Sequence, residues 1–206
     1  MSLKKGIYII ADPAMGEKRL MKKIRSIGNS HVAALQIWDN FQPGPDARRL
    51  IDSVCDVAHQ YDIPVFVNNR ADLLKDTAAD GLHFDIPPED FEAICLQVGR
   101  SIRAGITCNN DLAAVRWAID HRLDYISFCS VFHSTTANSC DLVTMETVKA
   151  AREMTSIPIF LAGGITPERI GLLSEWPYDG VAIAGSIMRA PDARDLLNRL
   201  NNAMKP

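Results

Sequence analysis

At 206 residues, with 47% hydrophobic and 23% charged residues, the chain has the composition of a folded globular protein, not of a disordered or fibrous one. A net charge of -3, from 22 Lys and Arg against 25 Asp and Glu, offers no basic face for nucleic acid or anionic lipid, so neither is expected as a partner and a small molecule is. Five cysteines without a C-x-x-C spacing argue against a disulfide framework or a thiolate zinc site, and a cytoplasmic protein with reduced thiols fits best.

The opening MSLKKGIYII has too few apolar residues before Asp12 and Pro13 for a signal-peptide core or a membrane span, and Met1–Leu3 reads as a leader. From there, short apolar runs alternate with longer segments of helical period. The runs are GIYIIAD, HVAALQIW, IPVFVNN, DGLHFD, SIRAGIT, DYISFCS, IPIFLAGG and DGVAIAG. Each is nearly continuously apolar, as strands covered on both faces are. Between the second and third, DARRLIDSVCDVAHQY places Leu50, Ile51, Val54, Val57 and Ala58 on one stripe, with Asp46 as a start signal. Between the fifth and sixth, NDLAAVRWAIDH carries Leu112, Val115, Trp117, Ala118 and Ile119, and Asn109 or Asn110 is the expected start. After the seventh, Thr166 followed by Pro167 marks another helix start, and Pro191 just after Ala190 marks one after the eighth.

Eight strand-helix alternations in this length predict an α/β fold, a (β/α)8 TIM barrel occupying residues 1–206 as a single domain. An open doubly wound sheet is disfavoured, because no G-x-G-x-x-G follows the first strand. Chemistry in a barrel sits at the C-terminal ends of its strands. The residues there are Asp12, Gln36 with Trp38 to Asn40, Asn68 with Asn69, His83 with Asp85, Thr107, Cys129 to Thr136, Gly163 with Gly164, and Gly185 with Ser186.

Two of those ends read as a phosphate site. LAGGIT after the seventh strand and AIAGSIM after the eighth let the backbone approach an anion, and N–H groups at the start of a helix over Ser186 to Arg189 supply donors. The same glycines also suit tight barrel turns, and Arg189 is readable as a cation for the site or as a solvated surface residue.

With these loops in place, the chain resembles thiamine phosphate synthase and its relative, the thiazole tautomerase. The residues that carry the resemblance are Gln36 in LQIW, Asn68 in VFVNNRADLL, His83 in ADGLHF, Thr107 in AGIT, and the segments DYISFCSVFHSTT, PIFLAGGI and GVAIAGSI, over essentially the whole length. The resemblance implies a barrel that joins a thiazole phosphate to a pyrimidine methyl pyrophosphate, with Mg2+ on the departing pyrophosphate. It places Gln36, Asn68 and His83 toward the pyrimidine and its first phosphate, and Gly164, Gly185 and Ser186 toward the thiazole phosphate.

Departures from that pattern fall together. Trp38 and Asn40 stand where the synthase pattern has arginine and lysine, Asn69 and Pro88 stand where it has magnesium carboxylates, and Ala137 stands where it has lysine. Asp85 or Asp39 is then the acid left to rebuild a magnesium site, and Trp38 should make its part of the cleft apolar. The tautomerase pattern has G-H-V-F where this chain reads Cys129, Ser130, Val131 and Phe132, so His133, Cys129 and His83 are the candidate catalytic groups. Three functions follow: a synthase with an altered site, a metal-independent proton-transfer enzyme on another phosphorylated heterocycle, or a non-catalytic ligand-binding relative. In each the partner is a phosphorylated small molecule, and an assembly of identical copies is compatible with all three.

Overall fold

The structure, a computed structural model, describes residues 3–28, 30–43, 46–133 and 141–204. Among them, eight parallel strands pair in sequence order and close on themselves. They are β1 (Gly6–Ala11), β2 (Val32–Ile37), β3 (Val65–Asn68), β4 (Gly81–Phe84), β5 (Arg103–Thr107), β6 (Tyr125–Cys129), β7 (Ile159–Ala162) and β8 (Gly180–Ile183). The helices that follow them are α1 (Glu17–Ile27), α2 (Ala47–Ala58), α3 (Ala71–Leu74), α4 (Phe91–Val98), α5 (Leu112–Asp120), α6 (Met145–Met154), α7 (Pro167–Ile170), α8 (Gly185–Arg189) and α9 (Ala193–Met204). This is the TIM barrel that the alternation of runs predicts.

Side chains along each strand alternate between two cores, because successive residues of a strand point to opposite faces. The outward set, including Ile7, Ile9, Leu35, Val67, Ile106, Phe128, Leu161 and Val181, is buried against the apolar stripes of the helices. The inward set is different in kind: Tyr8, Phe66, Tyr125 and Phe160 fill the lumen, with Ala34 and Ala182 between them. Phe66 meets Tyr125 edge to face at 5.3 Å between ring centres, and Tyr8 meets Phe160 at 5.5 Å. Leu3 packs into this same cluster.

Room for four rings comes from glycines on neighbouring strands. A Cβ on Gly105 would lie 2.1 Å from the Tyr125 ring, and one on Gly180 would lie 2.5 Å from Phe160. At the N-terminal ends of the strands, aspartates tie neighbours together. Asp80 accepts from Val65 N at 2.7 Å, Asp124 from Ala104 N at 2.8 Å and Asp179 from Ile159 N at 3.0 Å. Each satisfies a strand-end donor that the parallel ladder leaves over, on the face where barrels keep stability rather than chemistry.

Helix starts follow capping chemistry. Asp46 accepts from Arg48 N and Arg49 N at α2, Asp90 from Ala93 N at α4, and Thr144 from Thr147 N at α6. At α5 the cap is Asp111, bonded to Ala113 N, and not Asn109 or Asn110. The carboxylate takes the cap, while Asn109 adopts a left-handed φ of 49° in the turn before it. Among the described residues, no helix is long and apolar enough to cross a membrane.

The aromatic layer closes the floor under everything at the C-terminal end. Phe66→Ala should therefore lower the unfolding free energy by about 3–5 kcal/mol, read by urea titration, because the lumen is too tightly walled to collapse onto the void.

Candidate active site

Above the aromatic layer the inward positions turn polar on β2 to β6, while Ile10, Ala162 and Ala184 keep the β1, β7 and β8 side apolar. Gln36 on β2, Asn68 on β3, His83 on β4, Thr107 on β5 and Ser127 on β6 line a cavity of about 810 Å3 that opens at the C-terminal end. Trp38, Asp85, Cys129, His133, Gly163, Gly164, Gly185 and Ser186 line it as well. Of the described strand-end candidates named from the sequence, Asp12, Asp39, Asn40, Asn69 and Ser130 to Phe132 do not line this cavity, and the others do. Residues 134–140, with Thr136, Ala137 and Cys140, lie outside the described residues.

The lower wall is a continuous string of hydrogen bonds. Tyr8 donates its hydroxyl to Gln36 Oε1 at 3.0 Å and lies 2.6 Å from the Tyr125 hydroxyl. Tyr125 lies 2.8 Å from His83 Nδ1, His83 Nε2 lies 2.9 Å from Thr107 Oγ1, and Thr107 lies 3.0 Å from Ser127 Oγ. Burial pushes both tyrosine hydroxyls well above their ordinary range. Burial also holds His83 down to about 4, against a weaker upward pull from Asp85, so the imidazole is neutral at pH 7.

Beside His83 the two amides differ in role. Asn68, buried at the end of β3, donates Nδ2 to His83 O at 3.3 Å and to Asp85 Oδ1 at 3.1 Å. Asn69 sits at a left-handed φ of 57°, a conformation that Asn tolerates, with its N–H on His83 O at 2.8 Å. Its side chain clamps Asp85 twice: Nδ2 donates to Oδ2 at 2.7 Å, and Oδ1 accepts from Asp85 N at 3.1 Å.

The residues present do not fit a magnesium ion. A hard dication is held by carboxylates and substrate phosphates. Both Asp85 oxygens face amide N–H donors, Asp39 lies 3.5 Å from Arg70, and Asp12 accepts from Ala14 N and from Asn40. Among the described residues no three His, Cys, Asp or Glu side chains are grouped to hold a metal. Where a cation is expected, the half-buried side chain of Trp38 lines the wall, and the Trp38 backbone N–H donates to Ala11 O at 2.9 Å.

The opposite wall carries the positive charge. Gly163 and Gly164 follow β7 at φ of 94° and 64°. Packing alone demands both glycines: a Cβ would come within 1.8 Å of Ser130 Oγ at Gly163, and within 2.8 Å of His133 O at Gly164. Arg169 donates to Gly164 O at 3.0 Å and lies over the Phe132 ring at 5.4 Å. Arg189 closes α8, and the guanidinium folds back to Gly185. No side chain caps α8 at Ala184, and Gly185 and Ser186 at its start line the cavity. His133 is exposed at the rim, and Cys129 packs against the aromatic layer.

Residues 7–187 match the model of a family described as thiamine monophosphate synthase. The chain belongs to that family. It is 26% identical to the thiamine-phosphate synthase of Halorhodospira halophila over 91% of this chain and 88% of that protein. It is 28% identical to thiamine-phosphate synthase 1 of Aquifex aeolicus over 96% of this chain and 92% of that protein. Thiamine phosphate pyrophosphorylase from Pyrococcus furiosus superposes with a TM-score of 0.80, covering 98% of this chain and 95% of that one at 21% identity, which supports the barrel fold.

Tyr8, Tyr125, Ser127 and Arg169 join the site without having been singled out in the sequence, and Asn109, read there as a helix start, joins it as well. Asn109 Oδ1 is buried without a partner among the described residues. The tyrosines had one signal: a phenol hydroxyl inside an otherwise aliphatic run needs a partner when buried.

The lowered His83 pKa has a direct consequence. The unfolded chain, with histidine near 6.5, binds a proton that the folded protein refuses down to about 4, so stability is complete above pH 6.5 and falls as pH drops toward 4. Between pH 7 and 4.5 the wild type should lose about 2 kcal/mol more unfolding free energy than His83→Gln, by urea titration at each pH. Equal losses in both proteins would contradict a buried neutral imidazole.

Proposed function

We propose that this family member, working as one barrel domain in the cytoplasm, binds a monophosphorylated heterocycle of thiazole phosphate type and does not carry out the pyrophosphate displacement. The observation that carries this reading is the division of the cleft. Arg169, Arg189 and the N–H groups of Gly185 and Ser186 lie on one wall, while the facing wall offers Trp38, two amides and a carboxylate that is already bonded. One phosphate is well matched by the first wall, through backbone donors and two guanidinium groups.

A leaving pyrophosphate brings several negative charges into a partly desolvated cleft, and those charges need cations at the second wall. Asp85 there is negative, and the amides that hold it spend their donors on it. The retained residues support binding: Gln36, Asn68, His83 and Thr107 form a fixed polar wall, and Trp38 adds an aromatic face for a flat ring. A second reading, metal-independent proton transfer on the same ligand, is supported by a neutral imidazole joined to hydroxyls in a buried string, with His133 and Cys129 along the same cavity.

The test is formation of thiamine phosphate from thiazole phosphate and the pyrimidine pyrophosphate, with and without Mg2+, beside an authentic synthase. The expected result is saturable binding of thiazole phosphate and no product where the control turns over. Mg2+-dependent product at a rate comparable to the control would overturn it. The same incubation in D2O, read by NMR, reports proton transfer as deuterium entering the thiazole phosphate.

A further inference from the structure

The buried string has a direction, and it can be found by counting protons. Gln36 turns Oε1 to Tyr8, and a carbonyl oxygen only accepts, so the single proton of Tyr8 goes there. The 2.6 Å contact between the tyrosines then requires the proton of Tyr125, which leaves the Tyr125 oxygen as an acceptor toward His83. His83 must therefore carry its proton on Nδ1. A neutral imidazole has one N–H, so Nε2 is bare and takes the proton of Thr107. With that proton spent, Thr107 accepts from Ser127.

Every link is thus decided by the one before it, from Gln36 on β2 through β1, β6, β4 and β5 and back to β6. Six side chains share one pattern of donors, and the only other complete pattern is its mirror, in which every proton points the opposite way. Water, which would scramble such a pattern by donating and accepting at will, is kept from the tyrosine links by the rings of Phe66 and Phe160: Tyr8 and Tyr125 are 2% and 1% exposed.

We propose that Gln36 is the positioning residue that selects between the two patterns, holding His83 as the Nδ1–H tautomer with a bare Nε2. The effect reaches the ligand without Gln36 having to touch the groups concerned. Thr107 and Ser127 line the cavity with their protons committed inward along the string, so both hydroxyls offer the cleft lone pairs only. Gln36, with its oxygen turned to Tyr8, has its N–H groups free of the string. Reversing the string turns the Thr107 proton onto Ser127 and frees the Ser127 proton for the cleft, and the one heavy-atom change it needs is a turn of the Gln36 amide. This inference is independent of the phosphate reading, because it concerns the opposite wall and the free protein.

Long-range 1H–15N correlation of the imidazoles in the full chain at pH 7 tests it. In the wild type, His83 Nδ1 should give the pyrrole-type shift and Nε2 the pyridine-type shift. Gln36→Met keeps the bulk and removes the acceptor, so the Tyr8 proton turns to Tyr125, the Tyr125 proton turns to His83, and the two shifts should exchange between the nitrogens. A role of Gln36 in packing alone would leave the tautomer where it was. A wild-type His83 protonated on Nε2, or a Gln36→Met protein that keeps the Nδ1–H form, would overturn the proposal. The wild-type spectrum decides the direction of the string even if the variant does not fold.

Discussion

The lumen of this barrel is filled by four rings, Tyr8, Phe66, Tyr125 and Phe160, and the site above depends on that filling. Three of its conditions follow. Solvent is excluded from the base of the cleft, so polar groups there must bond to one another or be left unsatisfied at a cost of about 1–3 kcal/mol each. Two of the rings carry hydroxyls, so the layer that excludes water also provides links for the polar wall. The lumen admits four rings only because Gly105 and Gly180 carry no side chain where Tyr125 and Phe160 lie.

From this floor the cleft divides into walls of unlike chemistry. On one wall, after β7 and β8, the backbone and two arginines favour an anion. On the other, charge has been taken out or tied down: the imidazole is neutral, Asp85 is clamped by amides, Asn40 donates to Asp12, and an indole lines the surface. These are connected facts. Once the cations that offset a pyrophosphate are absent, a free carboxylate beside it would repel it further, and the amide pair instead turns Asp85 into a brace between β3 and β4. The ligand we propose, one phosphate joined to one flat uncharged group, matches that division whatever chemistry follows binding.

Much of this was legible in the sequence, and the reasons for the exceptions are physical. Eight nearly continuous apolar runs announce a barrel because strands covered on both faces have no polar side to display. That same continuity hides which face is which, so Tyr8, Tyr125 and Ser127 pass as members of a run until the closed barrel assigns them to the lumen. Gly163 and Gly164 stand out as flexible positions, yet the close approach of Ser130 and His133, which demands them, is a contact across two strands. The clamp on Asp85 depends on the register that sets Asn68 opposite His83, and no local pattern encodes that register. Asn109 and Asn110 resemble helix caps as well as Asp111 does, and only the geometry of the turn chooses among them.

The central claim is a single anion subsite, on the arginine wall, with no metal-assisted subsite opposite. Calorimetric titration of inorganic phosphate and inorganic pyrophosphate into the free protein, with and without Mg2+, addresses it most directly. The account predicts one phosphate per chain, competition between the two anions for that place, and pyrophosphate binding that Mg2+ does not strengthen. Two phosphates per chain, or pyrophosphate binding strengthened by Mg2+ about tenfold or more, equivalent to 1.4 kcal/mol, would contradict it.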